Sequence, residues 1–198
     1  DGTTDDTTAI QALVTAAVAA GGEILWPVGT FITTASVTSL HSVRHHGPGV
    51  IKRGSDLFYV APRGAQANSV YVSATGSASN DGLSASQPLN NYTTAFAAVA
   101  NYGPVLDGYW SIVQNNSTII ALNVSFTTPS RNLVTVRGVA ADPPSVPSSD
   151  IVGTGAGASD FGIRASGPGV QVNFKDLRFS GYNASTSNIA LLADYGAD

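Results

Sequence analysis

Lysine and glutamate are almost absent from this sequence, and this limits the folds that the chain can adopt. Among 198 residues, Lys52 and Lys175 are the only lysines and Glu23 is the only glutamate. These two residue types normally cover the solvent face of surface helices, so we expect few such helices. A polar surface must then consist of Ser, Thr, Asn and Gly, which suit strands and turns. The composition therefore predicts an all-β, turn-rich fold with a core supplied by 43% apolar residues.

The same composition excludes several functional classes. The chain has no cysteine, which rules out disulfides, zinc–thiolate sites and a thiol nucleophile. Its net charge is −4 with only 11% charged residues, so it lacks the basic surface of a nucleic-acid-binding protein. No apolar run approaches the roughly 18 residues of a membrane span, and no signal peptide opens the sequence. We expect neither nucleic acid nor membrane insertion among its partners.

Residues 1–60 contain a helical pattern followed by strand patterns. Ile10, Leu13, Val14, Ala17 and Val18 recur at helical spacing behind a polar opening that holds Asp5 and Asp6. We expect the helix to pack on the core through Ile10, Leu13 and Val14. These two acids can accept hydrogen bonds from the first helical N–H groups, and Gly21-Gly22 ends the helix. The residues from 23 to 60 then predict short strands separated by Pro and Gly turns.

The sequence divides at residues 61–69, which are small and without apolar periodicity, and which we interpret as a linker. In residues 70–198 the order of polar turn, Ala-rich helix and strands occurs a second time. The second helix is indicated by Tyr92, Phe96 and Val99, and we expect it to stop at Gly103-Pro104. Short apolar segments then recur about every 20 residues, a period found in stacked β-repeats. We expect this second segment to continue past Asp198.

Several segments resemble one family. The opening DGTTDDTTAIQ (1–11) with GGEILWPVGTF (21–31) is similar to the capping helix and first coil of right-handed parallel β-helix proteins of the pectate-lyase-like superfamily. The resemblance is to the branch that forms bacteriophage tailspikes and other tail appendages. YVSATGS (71–77), NDGLS (80–84) and VNFKDLRFSG (172–181) are similar to sequences of the same group. The resemblance predicts an all-β, right-handed parallel β-helix, or solenoid, with short Ala-rich capping helices.

That resemblance also implies a function. It predicts a homotrimeric tailspike or tail-fibre component of the virion tail, which acts outside the cell and attaches the phage to host surface polysaccharide. Its partners would be other virion tail proteins and that polysaccharide, and it could form part of a depolymerase. A purely structural tail segment and a free polysaccharide lyase or glycoside hydrolase remain the alternatives.

Acid–base cleavage of a glycosidic bond needs two carboxyl groups about 5–9.5 Å apart across one sugar linkage. Asp160 and Asp176 lie among the predicted strands and are the candidate catalytic pair. Their separation of 16 residues does not place them on one strand column, and solvated turn acids are the simpler interpretation. We therefore expect this segment alone not to cleave polysaccharide.

Aromatic rings are the better candidates for sugar binding, because a ring covers the apolar face of a pyranose. The candidates are Tyr182, Tyr109, Trp110 and Tyr102. The alternative is that these rings lie in the core or in a subunit interface, especially Trp110. The histidines His41, His45 and His46 are metal-ligating by type, but no acid lies near them in sequence. We predict no metal and no cofactor.

Overall fold

A computed structural model describes most of the chain, in segments. The described residues are 2–60, 67–102, 109–115, 118–121, 124–127, 133–138, 150–153, 161–166, 171–180 and 189–194. No helix in these segments is long and apolar enough to cross a membrane.

The first helix, α1, spans Thr7–Ala20, as its periodicity predicts. Asp5 Oδ1 accepts hydrogen bonds from the Thr7 amide at 3.0 Å and from the Thr7 hydroxyl at 2.6 Å. These bonds, together with one from Thr34, lower the pKa of Asp5 to about 2. The Asp6 carboxylate instead accepts from the amide of Ile32 at 3.0 Å, which ties the start of α1 to the neighbouring strand. Gly21 ends the helix in the left-handed conformation, at φ 60°.

The buried face of α1 is narrower than its apolar pattern predicts. Ile10, Val14 and Ala17 are buried, whereas Leu13 is 47% exposed and Val18 is 49% exposed. The expectation that Leu13 packs into the core is therefore wrong. Val14 occupies that position, because α1 meets the rest of the protein along one narrow line of residues three and four positions apart.

Fifteen strands and a second helix, α2 (Tyr92–Asn101), make up the rest of the described regular structure, apart from a 3₁₀ turn at Leu40–Ser42. The strands are β1 (Glu23–Leu25), β2 (Thr30–Ile32), β3 (Arg44–His46), β4 (Val50–Arg53), β5 (Asp56–Tyr59), β6 (Ala67–Val72), β7 (Tyr109–Gln114), β8 (Thr118–Ile120), β9 (Val124–Thr127), β10 (Leu133–Gly138), β11 (Asp150–Val152), β12 (Phe161–Ser166), β13 (Gln171–Lys175), β14 (Arg178–Ser180) and β15 (Ile189–Asp194).

The described strands form five small sheets. Four are parallel, with the orders β1-β3, β13-β10-β7-β6, β14-β11-β8 and β15-β12-β9. The fifth is mixed, because β2 pairs parallel with β4, which pairs antiparallel with β5. The β4–β5 hairpin turns at Gly54-Ser55, where Gly54 has φ 59° and supplies the positive φ that a two-residue hairpin loop requires.

The prediction of an all-β, right-handed parallel β-helix is wrong. The described residues form a mixed α/β structure, in which two helices accompany several small parallel and mixed sheets and no closed solenoid is formed. The composition misled because neither helix uses Lys or Glu on its surface: α2 is half buried, and α1 covers its exposed face largely with Ala and Thr. In α2 half of the residues are buried, namely Tyr92, Ala95, Phe96, Ala98 and Val99.

Aromatic side chains at the C-terminal end of α2 join the mixed sheet to β7. Tyr102 is stacked on Trp110 with ring centroids 6.2 Å apart, and it meets the edge of Phe58 at 4.7 Å. The ring centroids of His45 and Tyr102 are 5.2 Å apart. The core is therefore shared between residues before and after the predicted linker.

Polar contacts also join the two segments. Strand β6 begins at Ala67, inside the predicted linker at 61–69, and residues 61–66 lie outside the described residues. Asn68 exchanges two hydrogen bonds with the backbone of Tyr59, at 2.9 and 2.7 Å. Asn101 donates to the carbonyl of His41 at 3.0 Å. The division into 1–60 and 70–198 stays a prediction, and these contacts show that the described parts of the two segments pack together.

Candidate functional site: a polar cleft between two segments

A cleft of about 670 Å³ lies where the β4–β5 hairpin faces the irregular loop of residues 73–91. Its walls come from the end of β2, from the hairpin turn and from the loop. Six of the eleven lining residues carry a hydroxyl or amide group, although carbon atoms make up more of the accessible lining than polar atoms. The lining residues are Ile32, Thr33, Thr34, Lys52, Arg53, Gly54, Ser55, Asp56, Ser84, Ser86 and Gln87. A volume of this size is within the usual range for small-molecule sites.

A buried ion pair forms the base of the cleft. The Arg53 guanidinium donates to both carboxylate oxygens of Asp81, at 2.7 and 2.6 Å. Arg53 also donates to the Thr33 hydroxyl at 3.2 Å and to the Ala35 carbonyl at 2.8 Å. Asp81 is fully buried and Arg53 nearly so. Because the Asp81 carboxylate neutralises the Arg53 guanidinium, the base of the cleft is fixed in position and carries no net charge.

Asp81 also fixes the loop that carries the other wall. Its carboxylate accepts from the amides of Val37 at 2.8 Å and Leu83 at 3.1 Å. The Tyr102 hydroxyl donates to the Asp81 carbonyl at 2.8 Å, and burial raises the pKa of this hydroxyl, so it remains a neutral donor. Residues 73–91 form a connection longer than the usual limit of roughly 12–15 residues, and such loops commonly have a function. The ion pair therefore positions Ser84, Ser86 and Gln87 against the hairpin.

The cleft is suited to binding rather than to acid–base cleavage. Among its lining residues Asp56 carries the only carboxylate, and the nearby carboxylate of Asp81 is occupied by Arg53. The two free carboxyl groups that glycosidic hydrolysis requires are thus not present among the described lining residues. Thr33 and Ser84 are buried, which leaves the exposed hydroxyls of Thr34, Ser55 and Ser86 and the half-buried amide of Gln87 for a polyhydroxylated ligand. Thr34 already donates to Asp5, and Ser86 shares a hydrogen bond with Ser84, so each offers the ligand its remaining donor or acceptor capacity.

Of the two predicted catalytic acids, the structure describes Asp176, which does not line this cleft. Asp176 is exposed between β13 and β14 in the left-handed conformation, at φ 55°, as expected for a turn acid. Asp160 lies outside the described residues. The pairing of the two acids stays untested.

The two predicted sugar-binding aromatics whose side chains are described, Trp110 and Tyr102, do not line the cleft either. Trp110 is fully buried beneath Tyr102, which is itself buried, so neither ring offers a face to a sugar. Tyr109 begins β7, where only its backbone is described, and Tyr182 lies outside the described residues. No aromatic ring lines the described cleft, so a sugar there would be held by hydrogen bonds instead of stacking.

The three histidines do not form a metal site. In the described part of the chain, no group of three or more His, Cys, Asp or Glu side chains is arranged to hold a metal ion. His45 is buried with both ring nitrogens engaged, since Nδ1 accepts from the Trp26 indole at 2.9 Å and Nε2 donates to the Leu40 carbonyl at 2.8 Å. Burial lowers the pKa of His45 to about 4, which keeps it neutral. His46 is exposed and lies 2.9 Å from the Glu23 carboxylate.

Sequence reasoning did not identify the cleft residues. Thr33, Ser55 and Ser86 come from three separate stretches of the chain, and each is an ordinary turn or strand residue in its local context. The one available signal was Asn80-Asp81-Gly82, which the sequence indicates as a turn, and whose aspartate proves to be the buried anchor of the site.

No protein-family model, curated protein or solved structure matches this chain.

Proposed function

We propose that this chain belongs to a bacteriophage tail appendage and attaches the virion to host surface polysaccharide, which it binds in the polar cleft without cleaving it. It would act in the virion tail, outside the cell, as part of a homotrimer in contact with other tail proteins. The cleft carries the proposal, because its lining supplies hydroxyl and amide groups from two walls that a buried ion pair holds in place.

The chemistry of the lining favours a neutral or weakly charged glycan. Arg53 is neutralised by Asp81, which leaves Lys52 and Asp56 as one charge of each sign at the cleft. On the β4–β5 hairpin Lys52 lies opposite Leu57 and Asp56 lies opposite Arg53. Directly opposite residues share a face of a sheet, so the lysine and the aspartate extend to opposite faces. Neither sign therefore dominates the cleft, and hydroxyl–hydroxyl hydrogen bonding is left as the main means of recognition.

The resemblance of residues 1–11 and 21–31 to tail appendage proteins supplies the virion context. The β-helix that the same resemblance implies is not part of the support, because the described residues form a different, mixed α/β fold.

The test is a binding screen on a panel of oligosaccharides from bacterial capsules and O-antigens, followed by calorimetry. Ser86→Arg places a long cation at an exposed position in the cleft wall and is expected to weaken binding at least tenfold. Ala85→Arg is the matched control, because Ala85 is the exposed neighbour that does not line the cleft. Equal weakening by both variants would contradict a cleft site, and absence of binding across the panel would favour a purely structural tail segment. Release of new reducing ends would instead indicate an enzyme.

A further inference from the structure

The outer face of the two-stranded β1–β3 sheet is exposed and partly apolar. Strands β1 and β3 pair in parallel, with Glu23 opposite Arg44 and Leu25 opposite His46. All four side chains point to solvent, while Ile24 and His45 between them are buried. Leu25 is 75% exposed, and Val28, just beyond the strand, is 85% exposed. We call Glu23, Leu25, Val28, Arg44 and His46 the outer patch.

Exposure of this kind is unusual for a parallel sheet. Parallel sheets are found almost always with both faces covered. Here the inner face is covered by the core, and no described residue covers Leu25 or Val28. A single exposed apolar side chain needs no explanation, but two of the most exposed ones in the described chain lie three residues apart.

The charges of the outer patch indicate what covers it. The chain as a whole has a net charge of −4, so two copies repel each other on average. The outer patch carries one acid, Glu23, and one permanent base, Arg44, so it contributes none of this net negative charge. Within the chain the Arg44–Glu23 pair is loose, at 3.8 Å, while the second Glu23 carboxylate oxygen lies 2.9 Å from His46 Nε2, and all three side chains are about half exposed or more. In a closed ring of identical chains, Glu23 of one copy can meet Arg44 of the next, and each contact is repeated by symmetry.

We propose that the outer patch is the surface through which copies of this chain associate, with Leu25 and Val28 at its centre and Glu23, Arg44 and His46 at its rim. An apolar centre within a polar rim is the usual arrangement of a protein–protein interface. This inference rests on the self-association contained in the proposed function, and it supplies the face that the proposed trimer would use.

Sedimentation equilibrium from about 1 to 500 µM tests the proposal. The wild-type chain is expected to associate into a species of defined stoichiometry, and Leu25→Asp/Val28→Asp is expected to weaken that association at least tenfold. The melting temperature of this variant should match wild type, because both side chains are already exposed. Leu57→Asp is the matched control, since Leu57 is 43% exposed on the β4–β5 hairpin, away from the β1–β3 sheet, and should leave association unchanged.

Charge exchange gives a second, independent readout. Glu23→Arg alone leaves the rim with two arginines and no acid and is expected to weaken association, and Glu23→Arg/Arg44→Glu is expected to restore it. A wild-type monomer across the whole range, or equal loss in the Leu57→Asp control, would overturn the proposal. If the wild-type chain is a monomer and still binds oligosaccharide, the outer patch proposal fails while the proposed glycan binding stands. If the chain associates through the outer patch but binds no glycan, the proposed attachment function fails while the outer patch proposal stands.

Discussion

Protonation of His45 is the perturbation for which the structure gives the clearest magnitude. The ring is buried between the Trp26 indole and the Leu40 carbonyl, with Nδ1 acting as an acceptor. A proton on Nδ1 would bring two N–H donors against each other in the core. Burial lowers the pKa of His45 from its ordinary 6.5 to about 4. At about 1.4 kcal/mol per pKa unit, the folded state disfavours this proton by about 3 kcal/mol.

The direction of the pH effect follows from which state binds the proton. Between pH 6.5 and 4 the unfolded chain holds a proton on His45 that the folded chain does not, so stability falls as the pH falls through this window. The expected loss of about 3 kcal/mol corresponds to a lower melting temperature by about 6–12 °C in a chain of this size. His41 adds to the effect in the same direction, because burial also lowers its pKa.

The assay is urea unfolding at a series of pH values from 8 to 4, in wild type and in two variants. His45→Asn keeps an oxygen acceptor near the Trp26 indole and removes the titration. It is expected to be less stable at pH 7 but to lose much less stability on acidification. His46→Asn, at an exposed neighbouring position, should keep the wild-type pH dependence. An unchanged slope in His45→Asn would refute the assignment to His45.

Three further predictions concern stability and use the same unfolding assay. Asp81→Asn leaves a buried guanidinium uncompensated and is expected to reduce the free energy of unfolding by about 3–5 kcal/mol. Glu23→Gln, in an exposed pair, should reduce it by less than about 1 kcal/mol. Similar losses in both variants would contradict the role of the buried pair. Val14→Ala removes fully buried methyl groups and should reduce the free energy of unfolding by about 2 kcal/mol, whereas Leu13→Ala should change it little. A larger loss for Leu13→Ala than for Val14→Ala would mean that α1 is rotated about its axis. Gly47 has φ 104°, and a Cβ at this position would lie 2.1 Å from the Trp26 carbonyl oxygen, so Gly47→Ala should lower the urea midpoint strongly. An unchanged midpoint would contradict the close approach of these two backbones.

Local elements were predictable from the sequence where a short stretch contains the whole signal. Helix α1 ends at Gly21 because glycine adopts the left-handed conformation readily, and helix α2 follows from the spacing of Tyr92, Phe96 and Val99. The fold class was not predictable in this way. Apolar segments at a 20-residue spacing indicate strands, but they do not specify how the strands divide among sheets, and the reversal at Gly54-Ser55 belongs to a turn rather than to a period.

The candidate site could not be predicted for a related reason. Its anchor joins Arg53 to Asp81, which are 28 residues apart and lie on either side of the predicted linker. Each has an ordinary local explanation, the arginine as a strand residue and the aspartate as a turn residue. Only the folded chain brings them together in a buried ion pair that defines the base of a cleft.

The central claim is that the cleft between the hairpin and the loop of residues 73–91 binds a glycan. Amide chemical-shift mapping by NMR, during titration with an oligosaccharide selected from the binding screen, tests it most directly. We expect saturable shifts at Gly54, Ser55, Ser84, Ser86 and Gln87, with no comparable change at Leu25 or Arg44 of the outer patch. Shifts confined to other parts of the surface, or none at saturating oligosaccharide, would contradict it.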